Sequence, residues 1–299
     1  MSTFKSIKLS SHETIQTMRN VSYISGATGY AGLKITEYLA SQGKDLLLSA
    51  RDENKLQDLI GDISKRYPNQ NFRGFSCNLA IPESWKSAID VLNNFTVHEY
   101  INCSGIQGQL GPSSELDYKE MNDVFNVNLF SSIFFTNHFG NRTKKSDKLS
   151  IIHFSGGGST GPRPLFMSYS LSKTALLRFV ENYAVENSNR NIRINAIAPG
   201  LLPSKMQSEV IRNERLFDSR DYFNSLKSLS EESYDSTKLL NLCDFLLTDK
   251  SEGITGKLIS VEWDNWAEWP NNLDQLRNSD LYTLRRITGR DRGQDWGDI

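Results

Sequence analysis

Tyr169 and Lys173 stand four residues apart at the end of SGGGSTGPRPLFMSYSLSK, residues 155–173. On a helix that interval puts both side chains on one face. An ammonium beside a phenol favours the phenolate and lowers its pKa, which suits a proton donor or acceptor working near neutral pH. Both residue types are common, so the pair acquires meaning only from what positions it. Upstream, Leu149 to Phe154 is a short apolar run that reads as a buried strand. A glycine- and proline-rich loop follows, and the helical pattern over 168–187 then carries the pair.

A second stretch suited to chemistry lies near the start. There Gly26-Ala27-Thr28-Gly29-Tyr30-Ala31-Gly32 follows the apolar strand 21–25. A helix over 33–41 comes next, stopped by Gly43, and then a second strand over 45–50. Residues without a β-carbon let the backbone approach a pyrophosphate, and the first N–H groups of a helix receive its charge. This order of strand, turn, helix and strand predicts a dinucleotide cofactor. At the corner that reads the adenosine ribose stand Ala50 and Arg51, with no carboxylate ahead of the arginine. A guanidinium suits a 2′-phosphate, so NADP is expected in preference to NAD.

The same alternation continues through the chain. Strands are expected over 71–77, 99–103, 149–154, 191–197 and 257–261, with helices over 82–92, 115–139, 168–187 and 237–247 between them. Such spacing predicts an α/β fold with one doubly wound parallel sheet, occupying residues 20–262. Residues 1–19 form an N-terminal extension and 263–299 a C-terminal one. The weakly patterned stretch 203–236 reads as a mobile lid of loop and helix. Trp263, Trp266 and Trp269 recur at a helical interval and suit a tail packed on the body.

Composition excludes several classes. With 34 Lys+Arg against 35 Asp+Glu the net charge is −1, so no nucleic-acid partner is expected. No apolar run reaches the length of a membrane span, and the polar first twenty residues do not read as a signal peptide. Cys77, Cys103 and Cys243 lack metal spacing and suit reduced thiols in a cytoplasmic protein. The four histidines form no ligand pair one helical turn apart, so no metal is expected.

Taken in order, these motifs resemble the short-chain dehydrogenase/reductase family over about residues 20–262. Gly26 to Gly32 resembles its cofactor turn, and Asn102-Cys103-Ser104-Gly105 its Asn-Asn-Ala-Gly segment. Asn128 is similar to its helix asparagine, while Tyr169 and Lys173 match its catalytic pair. The segment 192–200, ending in Pro199-Gly200, resembles the one lining the nicotinamide, with Ser204 where a hydroxyl contacts the carboxamide. Gly253 to Gly256 is similar to the turn before the last strand. The resemblance implies a Rossmann fold and hydride transfer between a nicotinamide and a carbonyl or alcohol. Tyr169 would then exchange the proton, and Lys173 would lower its pKa and hold the ribose. Asn128 would hold a relay water, and a serine would steady the carbonyl oxygen. It further implies a homodimer or homotetramer, joined through helices 115–139 and 168–187.

Three departures narrow what carries over. Tyr30 stands where simple members keep glycine, a spacing more usual in members acting on nucleotide sugars. Asn78, followed by Leu79, replaces the acid that meets the adenine amino group. The catalytic serine is expected thirteen residues before the tyrosine, and that count reaches Gly156. A bend at Gly156-Gly157-Gly158 would let Ser155 serve, with Ser159 as the alternative. Long tails like 263–299 are associated with surface-polysaccharide enzymes, which makes a sugar or nucleotide-sugar substrate a candidate. Two further readings stay open: a nucleotide-sugar epimerase or dehydratase, and a dinucleotide-binding scaffold without catalysis.

Overall fold

The computed structural model describes residues 20–230, 235–294 and 296. The expected N-terminal extension, 1–19, lies outside these residues. Seven parallel strands form one sheet in the order β3-β2-β1-β4-β5-β6-β7. They are β1 (Val21–Ser25), β2 (Leu46–Ala50), β3 (Phe72–Ser76), β4 (Val97–Asn102), β5 (Leu149–Phe154), β6 (Ile192–Ala198) and β7 (Leu258–Ser260). Chain order reverses between β1 and β4, the switch point at whose carboxyl end doubly wound sheets bind their ligands.

Both faces of the sheet are covered, so the central strands carry continuous apolar runs rather than an alternation. Every residue of β1, β2 and β5 is buried. Successive side chains still point to opposite faces. Ile24 joins the layer under α1 (Tyr30–Ser41), α2 (Glu53–Arg66) and α9 (Thr237–Leu247). Its neighbour Tyr23 joins the layer under α3 (Pro82–Leu92), α5 (Ser131–Arg142) and α6 (Met167–Glu186). There Tyr23 stacks on Tyr100 with ring centroids 5.3 Å apart. In α2, Leu56, Leu59 and Ile63 make the buried stripe, and Asp52 caps the start by accepting from the Lys55 N–H.

The helix expected over 115–139 has a different construction. A 3-10 turn (Ser113–Glu115) precedes α4 (Tyr118–Phe125), and a π turn (Asn126–Phe130) joins α4 to α5. Asn126 donates from Nδ2 to the Ala80 carbonyl at 3.0 Å, and Asn128 bonds Ile106, so both side chains in the wide turn are held by distant backbone. Between β6 and α9 the chain forms α7 (Lys205–Ile211) and α8 (Arg220–Ser230).

The C-terminal extension packs on the body. A 3-10 segment (Trp266–Asn272) leads into α10 (Leu273–Arg277). Trp269 is buried and lies 4.2 Å, centroid to centroid, from Tyr282. Trp266 meets Phe245 of α9, whereas Trp263 is 88% exposed. The Leu258 N–H on the outer edge of β7 is taken by the Tyr282 carbonyl at 2.9 Å. The tail thus covers an edge that would otherwise offer free strand donors. Among the described residues no helix is long and apolar enough to cross a membrane.

Candidate active site

The glycine turn is shaped by three different constraints. Gly26 has φ +76, and a β-carbon there would lie 2.9 Å from the Ser104 nitrogen. A β-carbon at Gly32 would overlap the Gly26 carbonyl oxygen, which lets α1 start hard against the turn. Gly29 is exposed, and its β-carbon position meets only Gly26 O at 3.3 Å. It is the N-cap of α1, with no side-chain cap and no acidic residue in the first turn. The start of α1 thus has no capping side chain of its own, and the approach to it is clear of side chain at Gly29. These residues fit a dinucleotide pyrophosphate. Thr28 and Tyr30 are half-buried and Ala31 is buried beside them.

The remaining cofactor candidates follow the carboxyl ends of β2, β3, β4 and β6. Arg51 follows β2 directly and is exposed, and its guanidinium has no hydrogen bond or ion pair to any described residue. Asn78 accepts the Ala80 N–H through Oδ1 at 3.2 Å, and Leu79 is buried behind it. Asn102 donates to Ser132 Oγ at 2.7 Å and accepts the Ser104 N–H at 3.1 Å, while Ser104 Oγ meets Ser25 Oγ at 2.7 Å. Its amide also meets His153 at 3.3 Å, a ring that burial holds neutral with a pKa of about 3. At the end of β6, Pro199 is buried and Gly200 has φ +79. Ser204 is the N-cap of α7.

Tyr169, Lys173, Asn128 and Gly105 converge beside these groups. A β-carbon at Gly105 would stand 3.6 Å from both Asn128 Oδ1 and Lys173 Nζ, and 3.5 Å from Met206 Cε of α7. Lys173 is 2% exposed and donates to the Phe154 carbonyl at 2.7 Å. Its Nζ lies 5.8 Å from the centre of the Tyr169 ring. Asn128 accepts the Ile106 N–H at 2.9 Å, then donates to Ile106 O at 2.9 Å and to Ser172 Oγ at 3.0 Å. Its side chain thereby pins the 105–108 loop to α6.

The electrostatics differ from the sequence expectation of a phenol acidified by Lys173. Burial raises Tyr169 to about 12, with the Arg163 charge as the opposing influence. Burial also lowers Lys173 to about 8. Desolvation disfavours the charged form of each group.

The two serine candidates flank the glycine loop, Ser155 before Gly156 and Ser159 after Gly158. The Ser155 N–H still bonds Ile197 O at 2.8 Å, so the strand ladder runs through it and the chain turns only afterwards, at Gly158 with φ +89. Ser155 Oγ is buried and makes no hydrogen bond, to Tyr169 or to any other described residue. The position that faces the phenol is Gly156, where a β-carbon would overlap Tyr169 Oη. Ser159 is buried, and its carbonyl accepts from Thr174 Oγ1 at 3.0 Å.

Three residues near the site carry no recognisable sequence motif. Met206 lies over Gly105, and Arg163 and Asp221 form an ion pair at 2.7 Å between the glycine loop and α8. Only their contacts across the fold identify them. A surface cleft of about 350 Å³, lined by Lys238, Val261 and residues 262–267, includes neither Tyr169 nor Lys173.

Residues 28–263 match a family model described as enoyl-(acyl carrier protein) reductase. The chain is 25% identical over 258 residues to a diacetyl reductase [(S)-acetoin forming] of Staphylococcus epidermidis, covering 82% of this chain and 98% of that protein. Among solved structures it resembles an NADPH-dependent reductase involved in bacilysin biosynthesis, with TM-score 0.71, 17% identity and 83% and 98% of the two chains covered. It also resembles an NAD+-bound xylitol dehydrogenase, with TM-score 0.70, 20% identity and 82% and 98% coverage. At these identities the structural likenesses establish the fold.

Proposed function

The chain belongs to the short-chain dehydrogenase/reductase family and is an NAD(P)-dependent oxidoreductase of carbonyl and alcohol groups, and on that premise we propose that Tyr169 is its proton donor. The observation that carries this assignment is the burial of Tyr169 and Lys173 together, beside Gly105, at the end of the sheet where the Gly29 turn opens. The nicotinamide, when bound, supplies or accepts the hydride. A phenol raised to about 12 is protonated throughout the neutral range, which is the form reduction requires. A nascent alkoxide is more basic still and takes the proton from Oη. Lys173 keeps an ammonium 5.8 Å from the centre of that ring below about pH 8 and stabilises negative charge left on the phenol.

Asn128 holds the loop beside Lys173 in place, and Gly26, Gly29, Gly32 and the first turn of α1 receive the dinucleotide. Arg51 supports NADP over NAD, since its exposed guanidinium has no partner among the described residues. The two structural neighbours divide between NADPH and NAD+, so this preference rests on Arg51. Ser155 keeps a candidate role at the carbonyl oxygen only through a rotation that gives its Oγ a partner. The relatives reported above are reductases and dehydrogenases, which favours net hydride transfer over the epimerase, dehydratase and scaffold readings. Three unpaired cysteines suit a cytoplasmic location. Exposed Phe130, Met167 and Leu171 suit self-association through the α5 and α6 side.

Diacetyl, named for the Staphylococcus relative, is the first carbonyl to try, followed by a panel that includes sugars. Tyr169→Phe should abolish NADPH consumption while leaving NADPH affinity within a few fold. Retained turnover in that variant would remove Tyr169 from the mechanism.

A further inference from the structure

Residues 201–230 reach the site through α7, and several contacts fasten them to the loops around it. An apolar knot joins Val210 and Leu216 to Leu110, Leu165 and Phe166. Beside it, Asn213 donates to the Leu110 carbonyl at 3.2 Å, and Arg215 pairs with Glu115 at 2.6 Å. The contact that reaches the Tyr169 loop is different in kind. Arg163 donates from Nε and Nη2 to Asp221 Oδ1, at 3.1 and 2.7 Å. Its guanidinium lies 3.6 Å from the centre of the buried Phe166 ring. Its Nη1 stands 3.5 Å from the place a β-carbon of Gly157 would take, and its own Cβ 3.1 Å from that of Gly158. One arginine therefore touches the glycine loop, the floor under it and the cap above it.

The backbone on both sides of this contact is strained. Leu165, two residues after Arg163, has φ 70, and Asp218, three before Asp221, has φ 57. A leucine in the left-handed region persists only where surrounding contacts impose it. Here the imposing contacts are the Arg163 stack on Phe166 and the bond from the Gly111 N–H to Leu165 O at 3.0 Å. The ion pair is also substantially shielded, with side-chain exposures of 18% and 33%, so solvent screens it less than an open surface pair.

We infer that Arg163 is a positioning residue that latches α8 to the Gly156–Gly158 loop, so that closing the cap and fixing the wall beside Tyr169 are a single event. The kinetic consequence rests on Tyr169 being the proton donor; the structural one does not. On this inference the Arg163–Asp221 contact is broken when the cap opens and re-formed when it closes. Losing the latch should then weaken the hold on substrate more than it slows the chemical step.

Hydrogen exchange on the full chain, followed by mass spectrometry without added ligand, tests the latch directly. D221N and R163Q should each speed exchange of the α7 and α8 amides about tenfold, the scale of one charge-assisted hydrogen bond. Sheet amides should not change. The R163Q/D221N double variant should be no faster than R163Q, and R163K should fall between R163Q and the parent. In steady-state assays with NADPH and diacetyl, D221N should raise KM about fivefold and leave kcat within twofold. Unchanged α7 and α8 exchange in D221N would overturn the latch, as would additive effects in the double variant or equal acceleration across the sheet. Activity surviving in Tyr169→Phe would instead overturn the proton-donor assignment and leave the exchange result to decide the latch alone.

Discussion

Gly156 is held against Tyr169 so closely that a β-carbon at Gly156 would overlap the phenol oxygen and lie 3.0 Å from Cζ. The phenol thus fills space that any side chain at position 156 would need. Gly156→Ala should displace Oη from its working position and reduce kcat/KM on the order of a hundredfold, the penalty of a misplacement near 1 Å. Ser155→Ala should stay within about threefold of the parent, because its Oγ has no partner to lose. Steady-state reduction of diacetyl by NADPH compares the two. A collapse in Ser155→Ala with little effect in Gly156→Ala would reverse the assignment.

The pH dependence follows from two buried groups moved in opposite directions. Burial lowers Lys173 from 10.5 to about 8, so its ammonium is present below that pH and lost above it. Burial raises Tyr169 to about 12, so the phenol stays protonated across the same range. In the reducing direction kcat/KM, which reports the free enzyme, should be level below about pH 8 and fall above it. Lys173→Gln should remove that descending limb along with most of the activity. A profile still level at pH 10 in the parent would contradict the placement of Lys173.

How much of this was legible in the sequence depended on whether the cause was local. The strand 149–154 and the helices 82–92 and 237–247 agree with their apolar runs and flanking breakers, and the observed elements have those bounds. The glycine turn was equally plain, since its three glycines serve steric needs within one turn and its neighbours. The π turn was not, because Asn126 and Asn128 are held by Ala80 and Ile106, far away in the chain. Counting back from Tyr169 reached Gly156 correctly, but the sequence does not show that the strand ladder continues through Ser155. Helical spacing places Lys173 on the face of Tyr169 but carries no information on burial, which is what raises the phenol. Arg163 and Asp221 carry no motif at all, being 58 residues apart.

Arg51 offers a separable test of cofactor choice. Its guanidinium is exposed at the end of β2 and without a described partner. A 2′-phosphate there would gain a charge-assisted pair that a 2′-hydroxyl cannot match. Arg51→Ala should weaken NADPH binding by roughly tenfold or more and leave NADH within about twofold. Calorimetric titration with each nucleotide measures both. Equal weakening of the two would mean that the arginine does not read the ribose.

Trp269 and Trp263 should separate the structural part of the C-terminal extension from its surface. Trp269 is 5% exposed, packs in the layer that also holds α9, and meets at a tilt the ring of Tyr282, whose carbonyl occupies the outer edge of β7. Removing that ring leaves a cavity and loosens the segment that closes the edge. Trp269→Ala should cost about 3–5 kcal/mol of unfolding free energy and free the Leu258 N–H for exchange. Trp263, 88% exposed, has little packing to lose, so Trp263→Ala should stay within about 0.5 kcal/mol of the parent. Urea unfolding of the two variants, with light scattering to follow self-association, makes the comparison. The uncapped β7 edge predicts association in Trp269→Ala and none in Trp263→Ala. Equal stability of the two would mean that the extension merely lies on the body without supporting it.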